Sequence, residues 1–175
     1  MSTLKIPIGE HDHIQGDPQA PCTLVEYGDY QCPDCGRAQP LVKQLQKHFS
    51  TRLRFVFRNF PLTKIHAHAQ AAAEVAEFAA TKEQFWKMHD LLFENQTRLG
   101  EELFEELARE LKIDPDELQQ ALENKTFAEG VRADFAGGIR SGVNGTPTFF
   151  INGQRYDDLI DYDSMVAAIE KALAS

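Results

Sequence analysis

Two cysteines, Cys32 and Cys35, lie two residues apart where an apolar run gives way to a helical pattern. A thiol–disulfide exchange centre needs one accessible thiolate and a second thiol close enough to displace a mixed disulfide. Cys32 suits the first role, because unpaired amides and the helix dipole at a helix N-terminus favour a thiolate. Cys35 lies one helical turn further in, where we expect it to be shielded and to act as the resolving thiol. This Cys-x-x-Cys pair therefore predicts redox chemistry.

The two residues between the cysteines are predicted to tune the pair. Pro33 suits the first turn of a helix, which needs no amide hydrogen at that position. Asp34 places a carboxylate beside the thiolate, and a like charge opposes ionisation. We therefore expect Cys32 to be less acidic, and the pair to be more reducing, than in relatives with a neutral or cationic residue at position 34.

A zinc site is the main alternative for a Cys-x-x-Cys pair, and it needs two further ligands. The third cysteine, Cys22, belongs to a predicted strand, where a lone cysteine behaves as a small buried hydrophobe. The sequence contains no second Cys-x-x-Cys, and His66 and His68 are spaced so that they point to opposite sides of a predicted helix. Redox chemistry is favoured over zinc, and we expect neither a metal nor a cofactor.

Composition and charge narrow the possible partners. The chain has 175 residues and a formal net charge of −9, which disfavours binding to nucleic acid or to an anionic membrane surface. The N-terminal residues lack the long apolar segment of a secretory signal, so we expect a cytoplasmic protein. Three cysteines do not form a disulfide framework, and a Cys-x-x-Cys pair in a reducing compartment indicates catalysis or metal binding.

The Cys-x-x-Cys pair is framed by two predicted strands. Residues 22–27 form an apolar run with little alternation, which is typical of a strand buried on both faces. A helix follows over residues 35–50, and a second strand over 52–57. Residues 1–21 read as an irregular arm with a short edge strand, in which we expect His11 and His13 to be solvated.

The middle of the chain, residues 64–141, has an almost wholly helical pattern. Capping signals at Thr81, Asp114 and Thr126 predict the starts of three of its five helices. The pattern returns to strand at 148–151, with an Asn-Gly hairpin at 152–153 and a last helix capped by Asp163. This order predicts an α/β fold in which a parallel βαβ unit and an antiparallel hairpin share one mixed sheet.

A second motif, Gly-Thr-Pro-Thr at residues 145–148, decides between the alternatives for the cysteines. Together with Cys-Pro-Asp-Cys at 32–35, it makes the chain resemble the thioredoxin superfamily, and within it the DsbA-like thiol–disulfide oxidoreductases. Supporting matches extend over nearly the whole chain, in family order, at residues 20–35, 57–62, 85–93 and 142–153.

The resemblance implies one thioredoxin-like domain over residues 1–175, with a helical insertion at about 62–140. It also implies that Pro147 is cis and faces the cysteine pair, so that the backbone of Thr146 can pair with an extended substrate segment beside Cys32. In the family an acidic residue at the position of Glu26 lies beneath the active site and helps to move the proton of the resolving cysteine. The alternative for Glu26 is an exposed strand end.

The predicted function is thiol–disulfide exchange through a mixed disulfide. Its expected partners are protein substrates with a disulfide or dithiol and an unidentified redox-recycling partner, without nucleic acid or membrane. One rival keeps the fold but acts on a small thiol such as glutathione, which does not need Cys35. The other rival is a binding or redox-sensing module that uses the groove above Pro147 without catalysis.

Overall fold

The computed structural model describes residues 2–175, which form five strands, seven α-helices and two 3₁₀ turns. The strands are β1 (His13–Gly16), β2 (Cys22–Gly28), β3 (Leu53–Asn59), β4 (Thr148–Ile151) and β5 (Gln154–Arg155). The helices are α1 (Pro33–Phe49), α2 (Ala69–Ala80), α3 (Phe85–Glu94), α4 (Glu101–Glu110), α5 (Pro115–Glu123), α6 (Ala128–Arg140) and α7 (Tyr162–Leu173). The 3₁₀ turns are Ser50–Arg52 and Gln96–Arg98.

The strands form one mixed sheet in the order β1-β3-β2-β4-β5. Strands β2 and β3 are parallel and are connected by α1, whereas the other neighbours in the sheet are antiparallel. Strands β4 and β5 form a hairpin whose turn residues, Asn152 and Gly153, have φ of 46° and 81°. The predicted α/β fold, with a βαβ unit and a hairpin in one mixed sheet, is confirmed.

Both faces of the sheet are covered, which explains the apolar runs without alternation. Side chains at alternate positions of a strand point to opposite faces. Leu24 of β2 and Phe55 of β3 belong to the larger core, which includes residues of α1, α7 and the helices α2–α5. Their neighbours Val25 and Val56 belong to a smaller cluster on the other face. The residues of β2 are thus held by packing from both faces of the sheet.

Helices α2–α6 all lie between β3 and β4 in the chain, within the predicted insertion at 62–140. The first of them begins at Ala69, so Ile65 lies before the helix that it was predicted to join, and its exposed fraction is 72%. The division of residues 1–175 into a domain and an insertion stays a prediction.

One capping prediction is confirmed, and three are wrong. The Asp114 carboxylate accepts a hydrogen bond from the amide of Asp116 and begins α5 as predicted. Thr81 ends α2 and does not begin α3, and Thr126 makes no side-chain cap for α6. The last helix is capped by Asp161, which accepts from the Ser164 amide at 2.8 Å, and not by Asp163.

The N-terminal arm is attached to the helices through His13. This residue lies in β1, its Nε2 atom is 2.9 Å from a carboxylate oxygen of Glu77 in α2, and its ring stacks on Phe85 at 3.7 Å. The expectation that His13 is solvated is therefore wrong. Because β1 pairs with β3, this contact connects the sheet edge to α2 and α3.

Candidate active site

Cys32 lies between the end of β2 and the start of α1, where it is the N-cap residue of the helix. Its backbone is extended, with φ −71° and ψ 121°, and its amide donates to the carbonyl oxygen of Asp29 at 3.1 Å. Its Sγ atom lies 3.5 Å from the carbonyl oxygen of Thr146, in the loop before β4. The 5% of Cys32 that is exposed leaves the sulfur at the edge of the protein surface.

The surroundings of Cys32 stabilise its thiolate. A hydrogen bond from the Cys35 thiol is the largest influence, and with smaller contributions from the Thr146 hydroxyl and the amides of Cys35 and Asp34 it outweighs burial. The pKa of Cys32 falls from 9.0 to about 6 as a result. A thiol with this pKa is mostly ionised at neutral pH, so Cys32 can act as a nucleophile.

Cys35 has the opposite character. It is fully buried in the first turn of α1, and burial, followed by its hydrogen bond to Cys32 and the nearby charge of Glu26, raises its pKa well above 9.0. The two buried thiols thus differ in acidity, with the pKa of Cys32 lowered and that of Cys35 raised.

Glu26 lies on β2, beneath the pair. Its neighbours across the sheet are Phe57 and Phe149, and only 1% of the residue is exposed. Neither carboxylate oxygen has a hydrogen-bond partner within residues 2–175. Burial, with a smaller contribution from the charge of Cys32, raises the pKa of Glu26 to about 8. Glu26 is therefore a buried group that can hold a proton at neutral pH, and the alternative of an exposed strand end is wrong.

Thr146 lies against Cys32 and is followed by Pro147. The peptide bond between Thr146 and Pro147 is cis, as the resemblance implies. The Thr146 hydroxyl is buried and has no hydrogen-bond partner within residues 2–175, so it is free to donate to the Cys32 thiolate, whose pKa it helps to lower. The structure thus brings Cys32, Cys35, Glu26 and Thr146 together, although their catalytic and substrate-binding roles stay predictions.

The predicted tuning residues lie at the surface. Pro33 is the first residue of α1, and the exposed Asp34 carboxylate pairs with the guanidinium of Arg37 one turn along the helix. The influence of Asp34 on Cys32 that the structure shows comes from its backbone amide, which lowers the pKa of the thiol. The expected opposing effect of the Asp34 carboxylate stays a prediction. Nothing in the sequence indicated that Arg37 pairs with this carboxylate.

Sequence reasoning missed the side chains that hold the active-site loop. One carboxylate oxygen of Asp29 accepts from the Gln31 amide at 2.7 Å. The other oxygen accepts from the Leu62 amide at 2.9 Å and lies 2.7 Å from Nδ1 of His66. The Asp29 side chain is fully buried, so these bonds satisfy its oxygens inside the protein and attach the loop after β3 to the loop before Cys32. The sequence did offer one sign of this contact, because Asp29 is a charged residue three positions before Cys32, directly after an apolar strand.

A second attachment starts from Tyr30. Its hydroxyl lies 2.9 Å from Nδ1 of His89 in α3, and both residues are buried among the aromatic rings of Phe57 and Phe93. Burial lowers the pKa of His89 from 6.5 to about 3, so its imidazole is neutral. His89 is therefore a neutral residue of the core.

Comparison with known proteins decides the family. The family model described as "Thioredoxin" matches residues 9–171. The chain belongs to the thioredoxin family. The structure of oxidised BdbD from Bacillus subtilis is 29% identical, with a TM-score of 0.90 over 99% of both chains. A thioredoxin-like oxidoreductase from Silicibacter pomeroyi is 26% identical, with a TM-score of 0.82 over 95% of both chains. Wolbachia pipientis alpha-DsbA1 shares the fold, and the predicted DsbA-like thioredoxin fold is confirmed.

Curated relatives of this thioredoxin-family chain carry a different name. Proteins named Na(+)/H(+) antiporter NhaA from Salinispora arenicola and Salinispora tropica are 41% and 40% identical over 98% of the chain. The chain spans 26% of the length of each of them. An antiporter exchanges ions across a membrane, so the names of these relatives indicate a membrane-associated context for those proteins, which conflicts with the expected cytoplasmic location. The prediction of a cytoplasmic protein is therefore wrong.

Residues 2–175 of this thioredoxin-family chain contain neither a metal-binding cluster nor a helix suited to span a membrane. Within these residues, no group of three or more His, Cys, Asp or Glu side chains is arranged to hold a metal ion. None of the helices in the same range is both long and apolar enough to span a membrane.

Proposed function

We propose that the protein is a thiol–disulfide oxidoreductase that exchanges disulfides with protein substrates through Cys32. The observation that carries this proposal is the difference between its two thiols: Cys32 has a pKa of about 6, whereas buried Cys35 has a pKa well above 9.0. A low-pKa cysteine paired with a shielded one suits nucleophilic attack followed by resolution. The resemblance to a thioredoxin-like oxidoreductase and to BdbD supports the same chemistry.

In the reducing direction, the Cys32 thiolate attacks one sulfur of a substrate disulfide. A Cys32–substrate disulfide forms, the substrate disulfide breaks, and the second substrate sulfur leaves as a thiolate that takes up a proton. Cys35 then loses its proton and attacks the Cys32 sulfur, which releases the first substrate sulfur as a thiolate. Two electrons pass to the substrate, and the Cys32–Cys35 disulfide forms. In the oxidising direction these steps run in reverse.

Glu26 is proposed as the acceptor of the Cys35 proton. The thiolate of Cys32 is one of the two causes that raise the pKa of Glu26, and that charge disappears when the mixed disulfide forms. The pKa of Glu26 then falls, which favours its ionised form at the step that needs a base. The charge of Glu26 also raises the pKa of Cys35, so the two groups are close enough to interact.

The substrate side of the proposal rests on Thr146 and Pro147. Both residues are half-buried, and the Thr146 carbonyl oxygen lies 3.5 Å from the Sγ atom of Cys32. An extended substrate segment would pair with the Thr146 backbone in the manner of an added strand. We propose disulfide-containing or dithiol-containing proteins as substrates and a separate redox-recycling partner. We attribute the antiporter name of the curated relatives to the rest of their length, which the chain does not span.

A trapping experiment tests the proposal. Cys35→Ala should accumulate a mixed disulfide with a disulfide-bonded peptide, because the resolving thiol is missing, and mass spectrometry should locate the bond at Cys32. Cys32→Ala should form no such species and should lose insulin reduction. Cys22→Ala is the matched control, since Cys22 is buried, burial raises its pKa to about 11, and its loss should leave exchange intact. Insulin reduction that survives in Cys32→Ala would refute the proposal.

A further inference from the structure

A side chain from the helical part of the chain reaches the active-site loop. Gln96 lies in the 3₁₀ turn that follows α3. Its Nε2 atom donates to the carbonyl oxygen of Tyr30 at 2.9 Å and to the carbonyl oxygen of Cys32 at 2.7 Å. One amide group therefore satisfies two backbone acceptors on either side of Gln31, across 64 residues of sequence from Cys32.

The contact between Gln96 and the start of α1 is close. A Cβ atom added at Gly36 would lie 2.5 Å from Oε1 of Gln96, so the side chain lies directly against the backbone of residue 36. The Gly36 amide donates to the same Cys32 carbonyl oxygen at 3.1 Å. Cys32 is thus held by a helix hydrogen bond and a side-chain hydrogen bond that meet at one oxygen atom.

The turn that carries Gln96 is itself held in place. Nδ2 of Asn95 donates to the carbonyl oxygen of Leu91 at 2.9 Å, and the Arg98 amide donates to the Asn95 carbonyl oxygen at 2.8 Å. Leu99 follows as a buried member of the larger core. Gln96 therefore extends from a fixed base, and its amide restrains the loop that it contacts.

We propose that Gln96 is a positioning residue for the Cys32 thiolate, because it fixes the carbonyl groups of Tyr30 and Cys32 in the active-site loop. Thiolate stabilisation needs the Asp34 and Cys35 amides and the Cys35 thiol to point at Cys32, and all three belong to the first turn of α1. The Gln96 amide also offsets the partial negative charge of two carbonyl oxygens near a developing anion. This inference rests on the proposed function for its significance, because Cys32 is the nucleophile there.

The test replaces Gln96 by a side chain of similar length without a donor. In Gln96→Met we expect the pKa of Cys32, measured from thiolate absorbance in the reduced protein, to rise by about 1, which is a tenfold change in the ionisation constant. The equilibrium with glutathione should shift by up to about tenfold toward the disulfide form. Gln84→Met is the matched control, because Nε2 of Gln84 donates to the Leu111 carbonyl oxygen at 2.8 Å, away from the pair.

A second variant keeps Gln96 and moves it. Gly36→Ala places a Cβ where Gln96 Oε1 lies, and alanine favours the helix by about 1 kcal/mol over glycine, so this variant should fold. The Cys32 pKa should rise here as well, while Gly130→Ala, which meets no atom within 4 Å, should leave it unchanged.

The outcomes separate the two proposals. A Cys32 pKa equal to that of the wild type in both Gln96→Met and Gly36→Ala would overturn the positioning role, and so would an equal rise in Gln84→Met. If the pKa rises as expected but the wild-type protein exchanges no disulfide, the proposed function fails and the role of Gln96 stands.

Discussion

At the scale of single residues, the chemistry of the site depends on which of its ionisable side chains hold a proton at neutral pH. Cys32 gives up its proton easily because donors surround its sulfur, whereas Cys35 retains its proton because burial disfavours the anion. Glu26 retains its proton for the same reason as Cys35. The three groups therefore form a graded set in which an event at Cys32 changes the proton affinity of the other two.

Thr146→Val tests the hydroxyl donor beside Cys32. Valine keeps the shape of threonine but removes the hydroxyl that stabilises the Cys32 thiolate. A hydrogen bond to a charged group contributes about 1.5–3 kcal/mol, so we expect the Cys32 pKa to rise by about 1–2. The pH dependence of the iodoacetamide reaction with the reduced protein measures this value.

The control for Thr146→Val is Thr81→Val. The Thr81 hydroxyl donates to the Phe78 carbonyl oxygen at the end of α2, and removing it should leave the alkylation profile of Cys32 unchanged. An unchanged profile in Thr146→Val would show that the hydroxyl does not contact the thiolate.

The residues that sequence could identify share one property, which is that a local motif contains them. Cys32 and Cys35 form such a motif, and Pro147 follows Thr146 in another. Gln96 could not be found in this way, because a glutamine in a polar helical stretch has no pattern that indicates a backbone contact 64 residues away. Its role becomes visible only when the chain is folded.

At the scale of elements, helix α6 lies close to the sheet because it has glycine where the two meet. A Cβ atom added at Gly138 would lie 2.7 Å from Cδ2 of Phe60 and 3.0 Å from Cδ1 of Tyr27. Both aromatic rings are buried in the smaller core cluster. The loop with Thr146 follows this helix, so the spacing between α6 and the sheet also sets where that loop begins.

Gly138→Ala should destabilise the protein, although alanine is the better helix former. Overpacking a well-filled core costs about 1–3 kcal/mol, which exceeds the gain of about 1 kcal/mol in helix propensity. We therefore expect a net loss in the free energy of unfolding of up to about 2 kcal/mol, measured by urea denaturation.

Gly130→Ala provides the comparison within the same helix. Its added Cβ meets nothing within 4 Å, so only the propensity gain remains and the free energy of unfolding should rise by about 0.5–1 kcal/mol. If both alanines stabilise the protein equally, the close approach of α6 to Phe60 is not a constraint.

Helix ends show why element boundaries were harder to predict than elements. Asp114 has an extended backbone and can cap α5, as its sequence pattern indicates. Thr81 has a helical backbone, with φ −66° and ψ −16°, so its hydroxyl donates back to Phe78 and cannot begin the next helix. At the last helix the extended residue is Asp161, two positions before the predicted cap. Which of two aspartates is extended depends on the preceding loop, which local sequence does not determine.

At the scale of the whole molecule, the active site lies where separate parts of the chain meet. Asp29 contacts the loop after β3, and Tyr30 contacts α3. Gln96, which follows α3, contacts the backbone of the loop that holds Cys32. Arg58 adds a further connection, since its guanidinium donates to Asp12 in the N-terminal arm and to the Tyr27 hydroxyl. The overall topology was predictable from the order of strand and helix patterns, whereas these long-range polar contacts were not.

The stability of the whole protein should therefore report on the buried carboxyl group beneath the site. The pKa of Glu26 is about 8 in the folded protein and 4.5 as its ordinary value, so between these values the folded state binds more protons than the unfolded state. The contribution of Glu26 to stability must then fall as pH rises from about 4.5 to 8. At pH 7 the raised pKa of Glu26 lowers the free energy of unfolding by at most about 3 kcal/mol, relative to a pH at which Glu26 is protonated in both states.

Glu26→Gln removes this pH dependence. We therefore compare the free energies of unfolding of the variant and the wild type. The difference, variant minus wild type, should increase by up to about 3 kcal/mol between pH 4.5 and pH 7. Cys32 acts with the opposite sign, because its pKa falls from 9.0 to about 6 and its contribution to stability grows as pH rises between those values. Both proteins retain Cys32, so the subtraction removes most of that contribution. Urea denaturation of the reduced proteins at a series of pH values measures the difference, and a flat difference would mean that Glu26 ionises in the folded protein as it does in water.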